Sequence, residues 1–110
     1  MLSPDTRPCV VGLDVGTQGA RVLAVTGEGD VLAAASRRLP EADGPAALLP
    51  GWSEQDPASW WDAASECLRE VISTVRAEGV AAIAVTSTSG TVVPVDGAGE
   101  PLRPAILYND

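Results

Sequence analysis

A chain of 110 residues, 45% of them hydrophobic, is long enough for one small domain with a modest core and too apolar to be disordered throughout. Seven basic against fifteen acidic residues leave a net charge of −8, which argues against nucleic acid or an anionic membrane as a partner, since both are bound through Lys and Arg. With no His in the chain, a Cys/His zinc site and a His general base are excluded within it.

Residues 1–9 are assigned to a flexible leader and 10–110 to the domain. The leader has no apolar signal core, and no run is long enough to span a membrane, so a cytoplasmic protein is expected. The first strand takes in the end of the leader, at 9–15, and reads as buried, being apolar at nearly every position. A tight turn at 16–19 leads to a second strand at 20–26. Gly27-Glu28-Gly29-Asp30 is a hairpin signal, and a third strand at 31–39 ends at Pro40. The three predict an antiparallel meander.

Residues 41–51, rich in Pro, Gly and Ala, read as a surface loop. Asp56 can cap a helix and Pro57 suits its first position. Trp60, Ala64, Cys67, Leu68, Val71, Ile72 and Val75 then recur at helical spacing, and Gly79 is read as the stop. Strands follow at 80–85, 91–95 and 105–108, separated by a polar loop at 86–90, a turn at 96–100 and an extended linker at 101–104. With one helix, such a sheet has an uncovered face, so the chain looks cut or in need of a partner; a homodimer is one such assembly. Cys9 and Cys67 read as small buried hydrophobes rather than a disulfide.

Chemistry concentrates in residues 12–21. The first strand carries Asp14 to its end, where a carboxylate must be solvated or paired with a cation. Gly16, Thr17, Gln18 and Gly19 follow in a turn whose N–H groups can approach an oxyanion, while Asp14 can hold a hydrated magnesium ion and Arg21 can contact a phosphate. The same residues also suit an ordinary hairpin with Arg21 in solvent. Trp52 reads as an anchor near the helix start, with the neighbouring acidic residues suiting the helix dipole; Trp60 and Trp61 read as packing. Thr86, Ser87, Thr88 and Ser89 gather four hydroxyls at a strand end, fit either to read a polyol or to cap a turn. Asn109-Asp110 forms a second polar cluster, and the two clusters are expected to face one cleft.

Three blocks in order carry a resemblance: Gly12-Leu13-Asp14-Val15-Gly16-Thr17, then Gly51-Trp52-Ser53-Glu54-Gln55-Asp56-Pro57 leading into Trp60-Trp61, then residues 101–110 ending in Tyr108-Asn109-Asp110. Together they resemble the amino-terminal domain of the FGGY carbohydrate kinases, the family of xylulokinase, ribulokinase and glycerol kinase. The resemblance implies an α/β, ribonuclease-H-like domain of the actin, hexokinase and Hsp70 superfamily, present here in part. It implies ATP and magnesium as cofactors, a ketopentose or related polyol as substrate, and a general base beyond residue 110. By this resemblance Asp14, Gly16, Thr17, Gln18 and Arg21 meet the nucleotide, Asp14 organises the metal, and Thr88, Ser89, Gly90, Tyr108, Asn109 and Asp110 help position the sugar. The chain departs from xylulokinases, which carry Gln-Met-His where Thr88-Ser89-Gly90 stands, and from glycerol kinases, which carry Arg-Glu at Ser89-Gly90; its Thr/Ser-rich loop looks more like a D-ribulokinase-type branch. The 110 residues alone are expected to be inactive. A non-catalytic ATP-switch module and a stand-alone binding domain are the competing expectations.

Overall fold

The computed structural model describes residues 7–40, 51 and 53–107. Strands β1 (Cys9–Val15), β2 (Gly19–Thr26) and β3 (Val31–Arg38) form the expected meander. Its second turn closes where the Thr26 N–H donates to the Asp30 carbonyl at 2.9 Å and Gly29 takes a φ of 92°, a left-handed conformation that suits glycine. The chain returns to the sheet at β5 (Val80–Ser87), which pairs with β1 in parallel and gives the order β3-β2-β1-β5. A separate two-stranded piece joins β4 (Glu54–Gln55) to β6 (Ala105–Ile106) antiparallel.

Helix α1 (Pro57–Val75) starts as the sequence predicts, with the Asp56 carboxylate accepting from the Ala58 N–H at 3.0 Å and Pro57 in the first turn. Its end differs. Arg76, not Gly79, breaks the helix: it takes a φ of 65° and its N–H donates to the Ile72 carbonyl at 2.8 Å, while Gly79 closes a following 3₁₀ turn. A non-glycine with such a φ costs about 1–2 kcal/mol, so local preference does not dictate this stop.

The helix lies across β2 and β3 and reaches β1 only at its margin. Small strand residues let it sit close: Ala20, Val22, Ala24 and Ala35 pack with Cys9, Val11, Leu39, Ala63, Cys67, Val71 and Val75 in one cluster. The two cysteines are free and buried, as expected. β1 is therefore not buried at nearly every position. Cys9 and Val11 face the helix, while Val10, Gly12 and Asp14 alternate to the open side. β5 lies beyond the helix, and all its residues after Val80 are exposed.

Two other expected strands shrink. Residues 91–95 make only isolated bridges, Val92 to Ile106 and Val95 to Pro101, because no neighbouring strand runs alongside them for longer. The last strand is observed at Ala105–Ile106; residues 108–110, like most of the expected loop at 41–51, lie outside the described residues. Among the described residues no helix is long and apolar enough to cross a membrane.

Candidate functional site

The turn between β1 and β2 is built by drawing its carbonyls into the protein. The Gly19 carbonyl accepts from the Gly16 N–H at 2.9 Å and the Gln18 carbonyl from the Leu39 N–H at 2.9 Å. The Thr17 carbonyl accepts from the Gln55 side-chain amide at 2.7 Å. The Thr17 and Gln18 N–H groups have no acceptor among the described residues. A turn with engaged carbonyls and free amides is a fixed partial positive charge, suited to an oxyanion. In an acidic chain, backbone donors of this kind supply what few side-chain cations can.

The glycines of this turn have different reasons. A Cβ on Gly19 would stand 2.5 Å from the Arg37 carbonyl oxygen, so β3 runs too close to admit any side chain. At Gly16 the nearest atom to such a Cβ is Thr88 Oγ1 at 3.8 Å, an ordinary contact.

Gln55 is 5% exposed and is the residue that sequence reasoning missed. The Trp60 Nε1–H donates to Gln55 Oε1 at 3.0 Å. An indole nitrogen can only donate, so the oxygen of Gln55 must face Trp60 and its NH₂ must face Thr17; a longer contact of 3.4 Å reaches the Pro40 carbonyl. Trp60 packs against the core, as expected, and also fixes this amide, whereas Trp61 is 70% exposed and does not pack as expected. Glu54 does not serve the helix dipole. It is buried on β4 and accepts from Arg103 at 2.6 Å, which ties β4 to the chain entering β6. The only hint in the sequence was a polar pair standing directly before a helix cap.

Strand alternation splits the predicted site in two. Asp14 and Arg21 are directly opposed in the β1–β2 register, with Thr86 beside Asp14 on β5, all on the open face. They line a groove of about 840 Å³ that also takes in Gly12, Ser36 and Ala84. Gly16, Thr17, Ser87 and Thr88 line a cleft of about 80 Å³ on the other side, with Gln55, Trp60, Thr91 and Leu107. The Thr88 N–H donates to the Val15 carbonyl at 3.3 Å and so fastens the hydroxyl loop to the end of β1. Gln18, Ser89 and Gly90 are exposed and line neither space; Gly90 takes a φ of 81°. Tyr108, Asn109 and Asp110 lie outside the described residues, directly after Leu107.

A cleft of about 80 Å³ is small beside the roughly 300–1,000 Å³ of ordinary ligand pockets and does not take a whole ligand. It can take one or two hydroxyl groups. Thr91 Oγ1 on its wall is buried and has no partner among the described residues, so a hydroxyl there would gain a hydrogen bond rather than displace one. No group of three or more His, Cys, Asp or Glu side chains gathers among the described residues. Asp14 is a single carboxylate beside the turn, which suits magnesium bound mostly by water and phosphate and does not suit an all-protein metal cage. Burial pushes the Cys67 thiol above its ordinary value, which leaves it protonated and unfit as a nucleophile.

Comparison with known proteins agrees with this architecture. Residues 9–110 match the model of the FGGY family of carbohydrate kinases, N-terminal domain. The chain is 38% identical over 110 residues to a xylulose kinase of Streptomyces rubiginosus, covering 99% of this chain and 21% of that protein. It is 35% identical over 106 residues to a glycerol kinase of Aquifex aeolicus, covering 92% of this chain and 20% of that protein. The crystal structure of a xylulose kinase from Rhodospirillum rubrum superimposes with a TM-score of 0.82 at 38% identity, covering 93% of this chain and 20% of that one. The chain thus spans about a fifth of the length of the relatives it matches. Its mixed sheet and single helix are part of the actin- and hexokinase-like α/β fold of these sugar kinases, and the chain belongs to the FGGY family of carbohydrate kinases through that family's N-terminal domain.

Proposed function

We propose that the chain forms the phosphate-holding part of a kinase that transfers the terminal phosphoryl group of ATP to a hydroxyl of a ketopentose or related polyol. The observation that carries this reading is the turn after β1, with its carbonyls bound inward, two amides free and Asp14 beside it. Phosphoryl transfer needs positioning and charge neutralisation more than covalent help from the protein. The Thr17 and Gln18 amides would hold phosphate oxygens, and Arg21, across from Asp14, would add a charge-assisted contact. Bound magnesium would neutralise the charge on the phosphates, with Asp14 holding it. Thr88 and Thr91, on the wall of the small cleft, would take hydroxyls of the polyol. Relatives named xylulose kinase and glycerol kinase support a polyol substrate.

The test is a coupled assay of ADP release with ATP, magnesium and a panel of ketopentoses and polyols, run on the whole polypeptide that carries this chain. Asp14→Ala should lower kcat about a thousandfold, as expected for lost charge organisation at a transition state. Because Asp14 is exposed, its thermal midpoint should stay where it was. Near-normal turnover in that variant sinks the reading. The 110 residues assayed alone should show no sugar-dependent ADP release, since the small cleft cannot enclose a sugar and the general base is expected beyond residue 110.

A further inference from the structure

We infer that Gln55 is a positioning residue for the phosphate turn, acting through the Thr17 carbonyl to aim the Gln18 N–H outward. The inference rests on the kinase reading above. In a planar trans peptide the carbonyl of one residue and the N–H of the next point in opposite directions. The Gln55 amide holds the Thr17 carbonyl inward at 2.7 Å, so the Gln18 N–H of the same peptide faces away from Gln55, at a residue that is exposed. Without that bond the peptide can rotate, and a rotated peptide would offer an incoming phosphate a carbonyl oxygen instead of a donor.

An amide satisfies both neighbours. Trp60 needs an acceptor and the Thr17 carbonyl needs a donor. A carboxylate would serve the first and repel the second; a hydrocarbon would serve neither. The bond is made at a buried residue, where a hydrogen bond directs more strongly than in water. Gln55 also sits opposite Ala105 in the β4–β6 pair, so the piece that steadies the phosphate turn leads, through β6, to Leu107 on the cleft wall.

A purely structural Gln55 would alter stability and not nucleotide affinity, so the readout is KM for Mg·ATP set beside the thermal midpoint. In the whole polypeptide that carries this chain, Gln55→Met should raise KM for Mg·ATP about tenfold, the worth of one well-placed hydrogen bond. Gln55 also lines the small cleft, so KM for the sugar does not discriminate. Trp60→Phe leaves the amide in place but free to turn, and should raise KM for Mg·ATP about threefold. Glu54→Gln, which removes the charge from the neighbouring tie to Arg103, should lower the thermal midpoint without moving KM for Mg·ATP. An unchanged KM for Mg·ATP in folded Gln55→Met overturns the positioning role, as does an equal rise in Glu54→Gln. If Gln55→Met does not fold, Trp60→Phe decides by the same criterion. A wild type with no sugar-dependent ADP release overturns the kinase reading and this inference with it.

Discussion

Under α1 the sheet presents Ala20, Val22, Ala24 and Ala35, none of them more than 9% exposed. One residue further along the same strands, the opposite face shows Arg21, Leu23, Ala34 and Ser36 to solvent. The two sets share backbone and hydrogen bonds, and only the direction of the Cβ separates them. The covered face is small, apolar and dry, which lets a helix approach. The open face mixes charge with exposed apolar residues, among them Val10 at 50% and Leu23 at 45%. Stability and chemistry are thus written on alternate residues of one strand, and the two should be separable by substitution.

The largest effect on stability should come from under the helix. Val71 is 1% exposed in the centre of the core, and Val71→Ala should cost about 2 kcal/mol in a urea titration, from lost apolar burial plus the cavity left behind. Catalytic constants of the folded fraction should not change. A loss below about 0.5 kcal/mol would mean that the helix–sheet contact is not what holds the fold.

A smaller effect should appear only at alkaline pH. Burial is the main cause that raises the Cys67 thiol above its ordinary 9.0, partly offset by the Arg37 guanidinium. The folded state therefore keeps a proton that the unfolded state gives up. The resulting stability is complete below the ordinary thiol value and is lost as pH rises through the raised one. The urea midpoint of the wild type should fall more steeply than that of Cys67→Ala as pH is taken above about 9, and parallel profiles would refute this. Below that pH the thiol should resist alkylation until the protein unfolds.

The smallest effect should come from β5, whose helix-side residues lie beyond the edge of α1 and stay uncovered. Ile83→Thr and Val85→Thr on β5 should move the urea midpoint by no more than about 0.5 kcal/mol, since both side chains are more than half exposed. A large loss there would show that the helix-side face of β5 is covered more than its exposure implies.

What the sequence reveals follows from how local each determinant is. The meander was legible because its turn residues, Gly27 to Asp30, sit between the strands they join, and the helix start because Asp56 and Pro57 act within one turn. The end of α1 was not. Nothing in an arginine side chain announces a left-handed backbone, yet Arg76 has one. The 91–95 segment alternates like a strand, but alternation needs a partner of equal length and found only two bridges. In the site, Asp14, Gly16 and Thr17 were legible from a short contiguous motif. Gln55 was not, because its partner Thr17 lies 38 positions away. That Asp14 and the small cleft fall on different sides follows from strand alternation, once β1 is known to be covered on one face only.

The parallel pairing of β1 with β5 also imposes an order of assembly. Each strand of the meander meets its neighbour across a short turn, and α1 closes onto β2 and β3 soon after they are made. β5 can join only when β2, β3 and α1 have all been threaded between it and β1, so its loop-closure entropy is the largest in the sheet and its contacts repay that cost last. Thr86 should therefore be among the last residues to reach its place beside Asp14. The groove that holds the candidate metal carboxylate should be finished at the slow end of folding, and it is also where the native sheet should first open.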